Sequence, residues 1–166
     1  MKKTILITIL FISSFTQAQQ EIKLDIFDAL ALKTIEFSYE YYLDDQSSVG
    51  VSALFNSEKQ SADFRYNEDR MITPYFRHYF STDKSWNLFG EAFIGISSGV
   101  KTIEMNGLPD TFKDFSDGGL GVAVGAKYVS EGGLTIDVYA GVGRNLFSSF
   151  SPIIIPRLGA NVGYRF

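Results

Sequence analysis

The sequence predicts an all-β protein, an eight-stranded antiparallel up-and-down barrel of the transmembrane kind, preceded by an export signal. Three observations predict it. Apolar residues alternate with polar or small ones at period two, which gives each segment one apolar and one polar face. The connections alternate between short and long. The polar faces are rich in glycine, which suits the crowded interior of a narrow barrel better than a solvated surface.

The elements follow in chain order. Met1-Lys2-Lys3 is a short positive start, Ile5 to Ile12 is apolar, and Thr16-Gln17-Ala18 is a small-residue site. That order predicts a signal peptide over 1–18, cleaved after Ala18, and a barrel over 19–166. The apolar run is too short to span a bilayer as a helix, which takes about 20 residues. The first strand alternates briefly, with Ile22, Leu24 and Ile26 against Lys23 and Asp25. In the second, Ile35, Phe37, Tyr39, Tyr41 and Leu43 oppose Glu36, Ser38, Glu40 and Tyr42; in the third, Val49, Val51, Ala53 and Phe55 oppose Gly50, Ser52 and Asn56. The fourth (Met71 to Phe80) and fifth (Asn87 to Ser97) carry aromatics on both faces, and placing Arg77 and Glu91 on the polar side sets their phase.

The last three strands are the clearest. Leu120, Val122, Val124, Ala126 and Tyr128 oppose Gly119, Gly121, Ala123, Gly125 and Lys127. Leu134, Ile136, Val138, Ala140 and Val142 oppose Thr135, Asp137, Tyr139, Gly141 and Gly143. Leu158, Ala160, Val162, Tyr164 and Phe166 oppose Arg157, Gly159, Asn161, Gly163 and Arg165. Asp44 to Ser48, Ser81 to Ser85 and Ser130 to Gly133 read as short turns. Residues 57–69, 98–117 and 147–156 read as long polar loops, while the first connection, Ala29 to Lys33, is short for its rim. A soluble barrel would point its apolar face inward. Tyr41, Phe80, Trp86, Tyr128, Tyr164 and Phe166 would all fall at one rim, however, as an interfacial aromatic girdle does.

Composition removes several function classes. The 166 residues contain no Cys, which excludes disulfides, thiolate metal sites and a thiol nucleophile. The formal charge is −4, from 15 basic and 19 acidic residues, and becomes −6 once Lys2 and Lys3 leave with the signal. That balance gives no support to nucleic-acid binding.

The candidate chemistry lies on the polar faces and in the loops. Glu36, Glu40, Glu91 and Asp137 face Arg77, Lys127, Arg157 and Arg165, with signs that nearly cancel. Paired carboxylates could serve acid–base chemistry or a polar conduit. An eight-strand interior is only wide enough to be filled by side chains, which favours a packed ion-pair network. His78 is the single histidine, so no multi-histidine metal site is available. It falls near the short-turn end of its strand with no Ser expected beside it on its face, and an interfacial aromatic-like role is expected. Gly118-Gly119-Leu120-Gly121 matches no phosphate-loop spacing and leads into a strand, so packing glycines are expected. The loops carry mixed charges with Phe64, Tyr66, Phe112, Phe115, Phe147 and Phe150, and the third also holds Ile153-Ile154-Ile155. They are expected to contact lipopolysaccharide, to fold over the barrel mouth or to bind a partner.

Glu36-Phe37-Ser38-Tyr39-Glu40, Thr73-Pro74-Tyr75-Phe76-Arg77, Gly141-Val142-Gly143-Arg144-Asn145 and Gly163-Tyr164-Arg165-Phe166 carry a family resemblance. The chain resembles the small eight-stranded outer-membrane barrels, the OmpA-like barrel domain and the OmpX and Ail type. Within these it is most similar to an uncharacterised outer-membrane barrel family of unknown function. The resemblance implies a Gram-negative outer membrane, and the closing aromatics imply recognition by the barrel-assembly machinery through Phe166. The expectation is a monomer among outer-membrane lipids, without cofactor, metal or catalytic residues, in a structural or surface-interacting role. The alternatives are a lipid-modifying enzyme, a narrow pore and a soluble periplasmic ligand-binding barrel.

Overall fold

Eight strands follow one another in a computed structural model that describes residues 19–27, 29–30, 34–56, 68–82, 85–103, 111–147 and 153–166. They are β1 (Gln20–Asp25), β2 (Thr34–Tyr42), β3 (Ser47–Asn56), β4 (Glu68–Tyr79), β5 (Trp86–Ile103), β6 (Thr111–Val129), β7 (Leu134–Asn145) and β8 (Ile154–Arg165). Each pairs antiparallel with its successor, and β1 pairs with β8 to close the barrel. The seam is sealed where Gln20 N–H donates to the Phe166 carbonyl at 3.1 Å and Phe166 N–H donates back at 2.9 Å. Closure leaves no unpaired sheet edge. The expected signal over 1–18 lies outside the described residues, as do 57–67, 104–110 and 148–152 within the long connections and 31–33 in the first.

Short turns define one rim, here called the turn rim, and the long connections define the loop rim. Between β2 and β3, Asp44 Oδ1 accepts from Gln46 N–H at 2.7 Å, the local bond that makes Asp a turn former. Between β6 and β7, Gly133 adopts a φ of 86°. Its carbonyl accepts from Arg165 N–H at 2.7 Å, so the turn is bonded to the end of β8. A side chain at Gly133 would have to enter the left-handed region.

The alternation settles which face is inside. Glu40, Asp137 and Thr135 are wholly buried in the lumen, whereas Val122 and Val124 on the outer wall are 62% and 66% exposed. Lumen phase follows Arg77 and Glu91 as the sequence predicts, with Met71, Thr73, Tyr75 and Tyr79 beside Arg77 on β4 and Phe89 and Phe93 beside Glu91 on β5. The polarity is inside-out relative to a water-soluble barrel.

The long connections are shorter than the sequence suggests. The expected loop 98–117 is largely strand, because β5 runs to Ile103 and β6 starts at Thr111 in one continuous ladder. Polar alternation there offers no apolar face to read, yet backbone pairing with the neighbouring strand needs none. The expected loop 147–156 also ends early. Ile154 and Ile155 open β8, and Ile155 points inward at 1% exposure.

Candidate functional site

The side chains that chemistry could use meet in the lumen, carried there by the inward positions of all eight strands. Glu40 on β2 is the centre. Its Oε1 accepts from Ser48 Oγ on β3 and from Tyr79 OH on β4, both at 2.6 Å. Its Oε2 accepts from Lys127 Nζ at 3.1 Å, from Arg77 Nη1 at 3.2 Å and, in a very short contact, from Lys23 Nζ. Asp137 on β7 accepts from Arg77 Nη1 at 2.5 Å and from Lys23 Nζ at 2.9 Å. Arg77 Nε donates to Glu91 Oε2 at 2.7 Å, and Arg157 Nε donates to the other oxygen of Glu91 at 2.6 Å.

At the turn rim Glu21 plays the same part. It accepts from Lys127 Nζ at 2.7 Å and from Arg165 Nε at 2.7 Å. At the loop end of the layer, Arg157 Nη1 reaches Glu36 Oε1 at 3.5 Å. Every charge in this layer has an opposite partner, which is the condition for keeping ions out of water. Aromatic rings fill the gaps between them. The Arg77 guanidinium lies 4.2 Å from the Phe89 ring centre and 4.8 Å from that of Tyr75, and Arg165 lies 4.3 Å from Tyr42. The desolvated Arg77 contacts contribute about 2 kcal/mol each, and the partly exposed Arg165 contact less.

Toward the loop rim the filling becomes apolar. Leu54, Met71, Tyr75, Phe93 and Ile155 form one buried cluster. Lumen glycines are the sockets for these large groups. A methyl at Gly121 would fall inside the Phe93 ring, one at Gly50 inside Tyr75, and one at Gly119 onto Ile155. That close approach accounts for the glycine-rich inner face. Gly118, Gly119 and Gly121 sit within β6, where they serve packing and form no helix-capped phosphate loop.

All eight charged residues named from sequence are therefore in one network. Sequence reasoning left out Glu21 and Lys23, although the alternation of β1 already placed Lys23 on the polar side. It also left out the phenol groups of Tyr42, already on the polar side of the second strand, and of Tyr79, where an inward aromatic breaks the apolar–polar pattern. At the turn rim a cavity of about 320 Å³ opens between Tyr42, Tyr79, Asn87, Lys127 and Arg165, above the buried carboxylates.

His78 lies on the outer wall near the turn rim, its ring edge-on to Phe80 with centres 5.7 Å apart. One expectation fails here. Ser47 of β3 stands directly opposite His78 in the ladder, so a serine does share its face. Adjacent-strand register cannot be counted off a single sequence, which is why the neighbour was not foreseen. No hydrogen bond joins the two among the described residues. Among the described residues no cluster of three or more His, Asp or Glu is arranged to hold a metal. The expected rim aromatics converge: Trp86 and Tyr128 pair at 5.6 Å on the turn rim, and Phe80, Tyr164 and Phe166 are exposed there.

Comparison with known proteins agrees with this architecture. The fold is similar to the N-terminal β-barrel domain of Pseudomonas aeruginosa OprF, at a TM-score of 0.59 and 14% identity over 90% of this chain and 96% of that one. It is similar to Neisserial surface protein A, at 0.51 and 15% over 90% and 96%. It is also similar to the Yersinia pestis outer membrane protein Ail in a phospholipid nanodisc, at 0.50 and 14% over 90% and 100%. At these identities the likeness is one of fold. Among curated proteins none matches the sequence. Residues 4–150 match a family described as a protein of unknown function, DUF3575, and with most of its length inside that match the chain belongs to this family.

Proposed function

We propose that the protein is an outer-membrane barrel with a filled lumen and a structural or surface-interacting role, and that it carries out no catalytic step. One observation carries the reading: charges are sealed inside while valine, leucine, isoleucine and phenylalanine cover the outside. In water that wall would expose an apolar patch far larger than soluble monomers tolerate. In a bilayer it is the solvated face, and ten residues at a tilt of roughly 40° reach about 25 Å, the height of the apolar band. The aromatic rim fits the interfacial layer on one side. The turn rim then faces the periplasm and the long connections face outward, where contact with lipopolysaccharide or another surface partner takes place.

The packed lumen argues against a pore. A planar bilayer containing the folded chain should show no steady conductance, and a reproducible single-channel step would reinstate the conduit. A lipid-modifying enzyme is the second reading, favoured only by Ser47 standing across from His78. The primary test is electrophoretic mobility of the outer-membrane fraction, boiled against unboiled. A heat-dependent shift in that fraction is the expected result. Recovery in the soluble periplasm with no shift would overturn the proposal.

A further inference from the structure

Among the described residues two arginines stand on the outer wall, both at the loop rim: Arg70 on β4 and Arg144 on β7. Among the described residues neither makes an ion pair. Arg144 is set above apolar surface, with Leu120, Val142 and Ile154 exposed around it and a groove of about 600 Å³ between them. Arg70 tops a second groove of about 520 Å³ walled by Ile72, Ile96 and Phe147, with Ser98 and Ser116 at its upper edge. At the turn rim the exposed charges among the described residues are Asp44, Asp45 and Glu131, with no outward arginine, while the loop side carries the exposed Asp114 as well as the two arginines.

The two arginines stand at one level. Arg144 is about ten residues beyond Leu134, and Arg70 about nine before Tyr79, which places both roughly 25 Å above the turn rim, at the upper edge of the apolar band. An arginine there faces away from the lumen, and among the described residues no carboxylate pairs with it. At that depth, where headgroups begin, the surrounding lipid can supply the anion. An apolar groove directly below it accommodates a hydrocarbon chain attached to that same anion. Among the described residues the turn rim offers a phosphate no outward arginine, so the two sites belong to the loop side alone.

We propose that Arg144 and Arg70 are headgroup sites for lipid A, the phosphorylated glycolipid of the outer leaflet, each holding a phosphate above an acyl chain lying in its groove. The inference rests on the membrane reading above. Lipid A is favoured over an anionic phospholipid on charge: both phosphates accept the guanidinium's two parallel N–H bonds, but the phosphomonoester of lipid A carries more charge than a phosphodiester. Several chains on one headgroup also match grooves that flank the same strand, β6, from both sides.

The test is native mass spectrometry of the folded chain in detergent, titrated with diphosphoryl lipid A and, separately, with phosphatidylglycerol. The wild-type protein should retain lipid A in preference to phosphatidylglycerol. Arg144→Gln should lower lipid A retention about tenfold, as loss of a charge-assisted bidentate pair does. Arg70→Gln should lower it less, the double variant should abolish the preference, and Glu131→Gln at the turn rim should change nothing. Equal retention by the double variant, or equal retention of phosphatidylglycerol by the wild type, would overturn the site. Insertion of the same samples into vesicles, read by the heat-dependent gel shift, separates the two claims. A chain that inserts without preferring lipid A defeats this inference alone, whereas one that does not insert defeats the membrane reading.

Discussion

On the turn side of Tyr75 the lumen is filled by charges: Arg77, Lys23 and Lys127 among Glu40, Asp137 and Glu21. On the loop side Leu54, Met71, Phe93 and Ile155 form an apolar cluster, with Ser97, Asp117 and Asn145 also buried there. The same narrow space is therefore packed in two chemistries, and the contrast separates stability from specification. The apolar half gains from burial and close fit alone, at about 25 cal/mol per Å². The charged half gains little net, because desolvation offsets most of the attraction, and a well-packed apolar replacement would do as well. Its ion pairs do something burial cannot. Arg77 on β4 is tied to Asp137 on β7, and Lys127 on β6 to Glu21 on β1, so opposite walls are joined in one register. A slip of one residue would break several pairs together and turn the charges outward.

If that contrast holds, the largest effect comes from leaving a charge without its partner. Arg77→Met should cost about 3–5 kcal/mol, since it strips Glu40, Glu91 and Asp137 of a shared cation. Denaturant unfolding followed by fluorescence of Trp86, the chain's 1 tryptophan, measures it. An unchanged midpoint would mean the charged half is solvated and not a network. In the apolar half Ile155→Ala should cost about 3 kcal/mol, the transfer and cavity terms of a buried isoleucine. A loss below about 0.5 kcal/mol would show that water already enters there.

Filling a socket tests the fit from the other side. Gly121→Ala should cost about 2 kcal/mol, because its methyl collides with the Phe93 ring. Pairing it with Phe93→Leu should recover part of that loss, which a double-mutant cycle on the same unfolding signal reports. The smallest effect is expected outside the lumen. His78→Phe should leave stability within about 0.5 kcal/mol and the lipid A mass spectrum unchanged. A shifted lipid A profile would make the Ser47–His78 face an active one.

Legibility divides along the same line. The charged half is readable because Arg77, Glu91, Lys127 and Asp137 can occupy only one face of an alternating strand, and each fixes the phase of its own segment. The apolar half is hard to read, since Leu54, Phe93 and Ile155 point inward among outward apolar neighbours and period two loses its contrast. Ile155 is the sharpest case: next to Ile153 and Ile154 it reads as an apolar loop, while in the barrel it plugs the lumen. Strand count and turns were legible from chain order. Register was not, because which residues face one another across strands, Ser47 and His78 included, depends on shear that no single segment encodes.

The central claim is that the valine- and leucine-rich wall faces lipid while the charges stay sealed inside. The chain contains no cysteine, so a single Val122→Cys variant can carry one nitroxide spin label on that wall after reconstitution into vesicles. The label's relaxation should respond strongly to molecular oxygen, which concentrates in hydrocarbon, and weakly to a water-soluble nickel chelate. A label that collides freely with the nickel chelate and little with oxygen would contradict it.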